Sequence, residues 1–277
     1  MTKTAKYEER YCLFLDILGF QSHVDESVSQ KSGSKQMMTF PRLMAALSGI
    51  YEEVNYRESI QIAGKSQLSS RRVSQFSDSV VVSYLKDELN GAGVASMLFD
   101  IHRIQLRLVR SGILLRGAIS SGLLYHDEKL IFGPALNEAV ALEKLASYPR
   151  VILDGQILDE AFMPRTHSQK RNLELTTSIS SMAQMDLDGL YYIDYFNVHP
   201  DDFNEEWYDL YEYLEELRKL IKGLANKKAP SIKMKHSWLR TKFNEMAGPL
   251  EKNGFRKIGI HLIPEEDVSL FSQIKPF

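Results

Sequence analysis

The chain has 277 residues, 44% of them hydrophobic and 25% charged, with a net charge of −2 and one cysteine. That length supports one large core, or a main domain with a smaller appendage. The near-balanced charge argues against nonspecific binding to nucleic acid or anionic membrane, and a lone Cys12 excludes an internal disulfide framework.

In chain order, the start "MTKTAKYEER" lacks the apolar core of a signal peptide, and no run reaches the ~18 apolar residues of a spanning helix. A cytoplasmic protein is expected. "YCLFLDI", Tyr11 to Ile17, reads as a buried strand with Asp16 near its end, and "DESVSQKSGSKQ" as a polar loop. Leu43, Leu47, Ile50, Tyr51 and Val54 recur at helical spacing on one face. "RRVSQF" and "SVVVSYL" then predict two strands joined by a Ser77-Asp78 turn.

A helix follows from Val94 to Val109, closed by Ser111-Gly112. "ILLRGAIS" is a further strand, ended by Gly122, and "GLLYHDEKLIFG" a strand pair or hairpin. "PALNEAVALEKLA" begins with Pro134 in a first helical turn and consists of strong helix formers. "RVILD" and "LYYIDYF" supply later strands. Beyond residue 200 two helices rich in charge and aromatics follow, and "FRKIGIHLI" closes as a short strand or loop. The expected organisation is an α/β core over 1–200 and a helical extension over 201–277. In that extension Trp207, Leu210, Tyr211, Leu214, Leu217 and Ile221 form a packing stripe.

The chemistry centres on Asp16 and Asp78, one at the end of an apolar strand and one in a hairpin turn. Neighbouring strands lie about 4.8 Å apart, so carboxylates at adjacent ends can share a cation. Two such carboxylates repel unless Mg²⁺ or Mn²⁺ holds them, and hard cations prefer oxygen ligands. The alternative is an ordinary strand end and an ordinary Asx-turn. The histidines show no paired ligand spacing, so zinc is not expected. No phosphate-cradling Gly-rich loop, serine nucleophile elbow or dinucleotide fingerprint is present.

Four segments in order, "FLDILGF", "VSQFSDSVVV", "LLRGAISSG" and "IFGPALNEAVALEKLA", resemble the signature segments of class III nucleotidyl cyclases. With "KHSWLRTKFNE" further on, the chain is similar to the pyrimidine cyclases of bacterial Pycsar anti-phage systems. The resemblance implies a ferredoxin-like, mostly antiparallel sheet flanked by helices. It also implies a homodimer with sites between subunits, and a cyclic nucleotide product that acts on a separate effector protein. The reaction would convert UTP or CTP into the 3′,5′-cyclic monophosphate and pyrophosphate.

By the same resemblance, Asp16, Asp78 and the Ile17 carbonyl hold two Mg²⁺ or Mn²⁺ ions, and Asn137 orients the ribose. The family's transition-state arginine, four residues after that Asn, is Ala141 here, and Lys144 on the same helical face is a candidate substitute. The phosphate-binding lysine is also missing, with Arg71, Arg72 or Lys129 as open replacements. Ser74 and Leu130 stand where purine cyclases carry polar base readers, and Tyr51 is a candidate base contact. Arg116 is counted with the nucleotide-binding residues, its role left between local support and direct contact. Loss of the purine readers fits a pyrimidine substrate. It also fits a rewired purine cyclase or an inactive nucleotide-binding module.

Overall fold

A computed structural model describes residues 6–29, 38–55, 59–62, 65–88, 92–162, 173–252, 257–258 and 261–277. The chain begins with β1 (Glu8–Ile17), α1 (Phe20–Val28), α2 (Phe40–Asn55), β2 (Ser59–Ile62), β3 (Lys65–Leu68), β4 (Arg72–Phe76) and β5 (Ser79–Leu85). It continues with α3 (Ala92–Arg110), β6 (Leu115–His126), β7 (Ile131–Phe132), α4 (Pro134–Leu145), β8 (Val151–Leu153), α5 (Gly155–Phe162) and α6 (Leu173–Met182). The last elements are β9 (Ala183–Met185), β10 (Tyr191–Ile193), α7 (Glu206–Leu224), α8 (Pro230–Lys252), β11 (Lys257–Ile258), β12 (His261–Leu262) and α9 (Val268–Phe271). Two compact units result: Met1–Ile104 with Leu115–Ile193, and Gln105–Leu114 with Asp194–Phe277.

The first unit is built on a mixed, mostly antiparallel sheet of order β4-β5-β1-β6-β8-β10-β9, with β7 paired to β6. β1 lies between β5 and β6, antiparallel to both, and β6 runs parallel to β8. Its position explains its sequence: Tyr11, Cys12, Leu13, Leu15 and Ile17 are all buried, as a strand covered on both faces requires. Side chains alternate between faces, so one face carries Arg10, Cys12, Phe14 and Asp16, and the other Tyr11, Leu13, Leu15 and Ile17. On the first face α4 seats Ala135 and Ala139 against Cys12, Val81 and Leu124. The Cys12 thiol has no exposed surface there, and burial pushes its pKa up to about 12.

On the second face, Tyr84 donates to Asp100 of α3 at 2.9 Å, and Arg71 pairs with the same carboxylate at 2.7 Å. Farther along the sheet the guanidinium of Arg150 is wholly buried. It bonds Asp186 at 2.5 Å, contacts Asp188 and donates from Nε to the Ala146 carbonyl at 3.0 Å. The rings of Tyr148 and Tyr192 lie 5.0 and 6.0 Å from it. This clamp joins the end of α4 to the strands around β8.

In the second unit, α7 buries Leu210, Leu214, Leu217 and Ile221, as the stripe predicts, and Tyr213 as well. The Tyr213 hydroxyl donates to the Tyr195 carbonyl at 2.6 Å, while Trp207 and Tyr211 meet Phe271 edge-on at 5.9 Å. No helix among the described residues is long and apolar enough to cross a membrane.

Several expectations need correction. Residues 25–28, read as the start of a polar loop, belong to α1, a helix with no buried residue; most of the rest of that loop lies outside the described residues. Gly122 does not end its strand. It adopts φ +146°, a conformation that glycine alone takes without strain, and β6 continues through it to His126. Tyr51 does not join its neighbours in the core: Ile50 and Val54 are buried, whereas Tyr51 is 57% exposed. The β2–β3 hairpin, α5, α6 and β9 carried no sequence expectation. In "FRKIGIHLI" the described residues include β11 paired with β12.

Removing one partner of a buried ion pair strands the other charges. Arg150→Ala should therefore lower stability by about 3–5 kcal/mol, read as a fall in the urea midpoint with an unchanged slope.

Candidate functional site

The end of β1 and the β4–β5 turn meet by register. Asp16 pairs with Ser79 of β5 on one side and Arg116 of β6 on the other. The turn residue Ser77 takes φ +54°, and the Ile17 N–H donates to the Asp78 carbonyl at 3.2 Å, which ties the turn to the strand. The Asp78 carboxylate lies close enough to the Asp16 carboxyl to raise its pKa. The predicted carboxylate pair is thus brought together by the fold.

Its surroundings are strongly acidic. Burial first, then the Glu143 and Asp78 charges, push the Asp16 carboxyl up to about 6, while Arg116 pulls it down. Arg116 Nη2 stands 3.6 Å from Asp16 Oδ2, and its Nε forms an ion pair with Glu143. Glu143 reaches this position because Ala135, Ala139 and Glu143 recur every four residues on the buried side of α4. Gly117, next to Arg116, holds the strands at close range: a Cβ there would lie 2.4 Å from the Phe14 carbonyl oxygen. Among the described residues, Asp16 and Glu143 thus flank the Arg116 guanidinium, with the Asp78 carboxylate beside Asp16.

A divalent cation matches this set. The donors are hard carboxylate oxygens, the Asp16 side chain remains partly open to solvent, and the negative charge exceeds the positive. Among the described residues no cluster of three or more His, Cys, Asp or Glu is arranged to hold a metal. Asp16 and Asp78 would thus supply the protein carboxylates, with backbone carbonyl, water or substrate phosphate completing the shell, as Mg²⁺ commonly requires.

The remaining site candidates are dispersed. Ser74 shares the sheet face of Asp16 by register, and its Oγ lies 3.0 Å from His126 Nε2. Leu130 is 58% exposed in the turn after β6, where the Asp127 side chain accepts the N–H groups of Lys129 and Leu130. His126 therefore links Ser74 to the base of the hairpin bearing Leu130. Asn137, Ala141 and Lys144 are exposed on α4, away from its buried Ala135, Ala139 and Glu143. Neither Asn137 nor Lys144 bonds Asp16 or Asp78 among the described residues.

Arg71 is engaged by Asp100 and Tyr84, whereas Arg72 and Lys129 are exposed. Glu143 and His126 were not anticipated. The signal for Glu143 was its four-residue spacing from Ala139; His126 offered none beyond sitting at the end of an apolar strand.

No protein-family model and no curated protein matches the chain. Among solved structures, the guanylyl cyclase domain of the RhoGC fusion protein from the aquatic fungus Blastocladiella emersonii is 14% identical with a TM-score of 0.40, over 69% of this chain and 98% of that one. The guanylyl cyclase Cya2 is 11% identical with a TM-score of 0.36, over 69% and 93%. A class III adenylyl cyclase-like ATP-binding protein from Pseudomonas aeruginosa is 13% identical with a TM-score of 0.36, over 63% and 41%.

Relief of like-charge repulsion gives a test that needs no turnover. Asp78→Asn should raise the melting temperature in chelator by roughly 2–4 °C, the shift expected for about 1 kcal/mol in a protein of this size. Millimolar Mn²⁺ should raise the melting temperature of the parent protein and leave that of Asp78→Asn nearly unmoved.

Proposed function

We propose that the protein is a class III-type nucleotidyl cyclase that converts UTP or CTP into the 3′,5′-cyclic monophosphate and pyrophosphate. The observation that carries this reading is the Asp16–Asp78 pair, joined across the end of β1 and the β4–β5 turn and backed by Arg116 and Glu143. The four ordered sequence segments support it independently.

Asp16 and Asp78, with the Ile17 carbonyl, would hold two Mg²⁺ or Mn²⁺ ions, which supply Lewis-acid stabilisation of the attacking ribose oxygen and of the departing pyrophosphate. Arg116 steadies the Asp16 carboxylate, and Glu143 holds Arg116 in place. Asn137 and Lys144 stand exposed on α4 and bond neither Asp16 nor Asp78 among the described residues, which supports a homodimer with sites between subunits. In that arrangement each pair acts on the nucleotide held by the other subunit's carboxylates: Asn137 orients the ribose, and Lys144 supplies positive charge to the transition state. Tyr51, exposed on α2, is the candidate base contact. The product is read as a second messenger for a separate effector in anti-phage defence.

Pyrimidine selectivity is supported by Ser74 and Leu130. A short hydroxyl and an exposed apolar side chain leave the polar edge of a purine without its usual partners, at a cost of about 1–3 kcal/mol per unpaired group.

Incubation with each of the four nucleoside triphosphates and Mn²⁺, followed by mass spectrometry, should show UTP or CTP favoured at least about tenfold in kcat/KM. Faster formation of cyclic AMP or cyclic GMP would make it a purine cyclase. Binding without any cyclic product would make it a regulatory module. Asp16→Ala and Asp78→Ala should each abolish turnover while the fold persists by circular dichroism. Lys144→Ala should lower kcat with little change in KM, the signature of a contact made in the transition state.

A further inference from the structure

The near-balanced total charge conceals a segregation. Residues 217–244 carry nine lysines and arginines and no aspartate or glutamate, so against a total of −2 the rest of the chain carries −11. They form the end of α7, the turn after it and most of α8, all within the second compact unit. Lys222, Lys227, Lys228, Lys233 and Arg240 are exposed, and among the described residues none of the five pairs with a carboxylate. Other cations of the chain are partnered: Arg110 bridges Asp209 and Glu212, Arg103 meets Glu53, and Lys86 meets Glu160.

Helix stability does not account for this cluster. Positive side chains favour the last turn of a helix, which suits Lys222 on α7, but they oppose the dipole at a first turn. α8 starts at Pro230 with Lys227 and Lys228 just before it, Lys233 among its first four residues and no acidic residue in its first turn. No acidic residue lies three or four positions from Lys233 or Arg240 in either direction, so neither gains an intrahelical pair. Crowded like charges repel, and the cluster therefore weakens the fold unless an external anion meets it.

The neighbouring side chains narrow the kind of anion. Ser231, Ser237 and Thr241 are exposed between the cations, hydroxyl donors of the type that phosphate oxygens accept. Lys233, Ser237, Arg240 and Thr241 recur at i, i+4, i+7 and i+8, so they share one face of α8. Trp238 and Phe243 are buried, which leaves no phenyl or indole ring in this stretch for a base to stack on. Met234 is its one large exposed apolar side chain, too little to enter a bilayer. Such a face suits backbone phosphates better than bases or lipid.

We propose that the α7–α8 corner and the exposed face of α8 form a docking surface for the phosphate backbone of double-helical nucleic acid, bound without regard to sequence. A duplex presents one negative charge per roughly 1.7 Å of its axis, which an array of five cations can follow. Asp16 and Asp78 belong to the other compact unit, and the proposal is independent of the nucleotide reading above.

Fluorescence anisotropy of the full chain with a labelled DNA duplex of about 20 base pairs and arbitrary sequence should show micromolar binding at low salt. The logarithm of the association constant should fall with the logarithm of salt concentration at a slope of about −4 to −5, as five phosphate contacts require. Lys227→Gln with Lys228→Gln should weaken binding about tenfold and reduce the slope by about 2, with a melting temperature no lower than the parent's. Lys233→Gln with Arg240→Gln should do the same from within α8, so the test does not hang on the folding of one variant.

Vesicles of phosphatidylserine and phosphatidylcholine, and polyglutamate, should each bind at least about tenfold more weakly than the duplex. No duplex binding at low salt, or an unchanged slope in both double variants, overturns the proposal. Vesicles bound as tightly as the duplex would make this a membrane surface, and polyglutamate bound as tightly a surface for acidic protein. Either result overturns the assignment to nucleic acid.

Discussion

Arg116 occupies the one place where the strand register, the seat of a helix and the candidate chemistry meet. The β1–β6 pairing sets it opposite Asp16, and the alanine-lined seat of α4 brings Glu143 onto its other side. A slip of one residue between β1 and β6 would turn Arg116 to the opposite face and leave Asp16 and Glu143 without their shared cation. The apolar packing of Cys12, Val81, Leu124, Ala135 and Ala139 is what prevents that slip. Core packing and site electrostatics are therefore not separable here. The same contacts that bury hydrocarbon also fix how close the acidic groups lie to one another.

Much of this was legible in the sequence where pattern and burial coincide. The strands β1 and β5 and the helices α3 and α7 announce themselves through long apolar runs or clear 3.6 periodicity. Asp16 and Asp78 stood out for the opposite reason, as charges at apolar strand ends where pattern alone predicts none. What stayed hidden depends on distant partners or on weak local signals. α1 buries no side chain, so it leaves no apolar stripe to read. Gly122 reads as a break, because only the paired neighbour on β1 reveals that the strand continues through it.

The site followed the same division. Glu143 is an unremarkable glutamate among helix formers until the helix is seated on the sheet, and its ion pair spans α4 and β6. The hydrogen bonds that join Arg10 to Ser83 and Ser74 to His126 are harder still, since the partners lie 73 and 52 residues apart. Neither separation leaves a local trace. Exposure likewise decides between meanings that sequence leaves open: Tyr51 falls on the apolar face of its helix by spacing, yet it stands in solvent.

The buried thiol of Cys12 has a practical consequence. It is the chain's one cysteine, has no exposed surface and keeps its proton through the whole neutral range. Thiolate is the reactive form, so in the folded state this residue is silent towards maleimides, disulfide exchange and peroxide. The protein thus comes with a clean background for chemistry. A cysteine introduced at the exposed end of α4 or on the β6–β7 turn would take a fluorophore or spin label alone, with no native thiol to remove and no disturbance to the packing between β1 and α4.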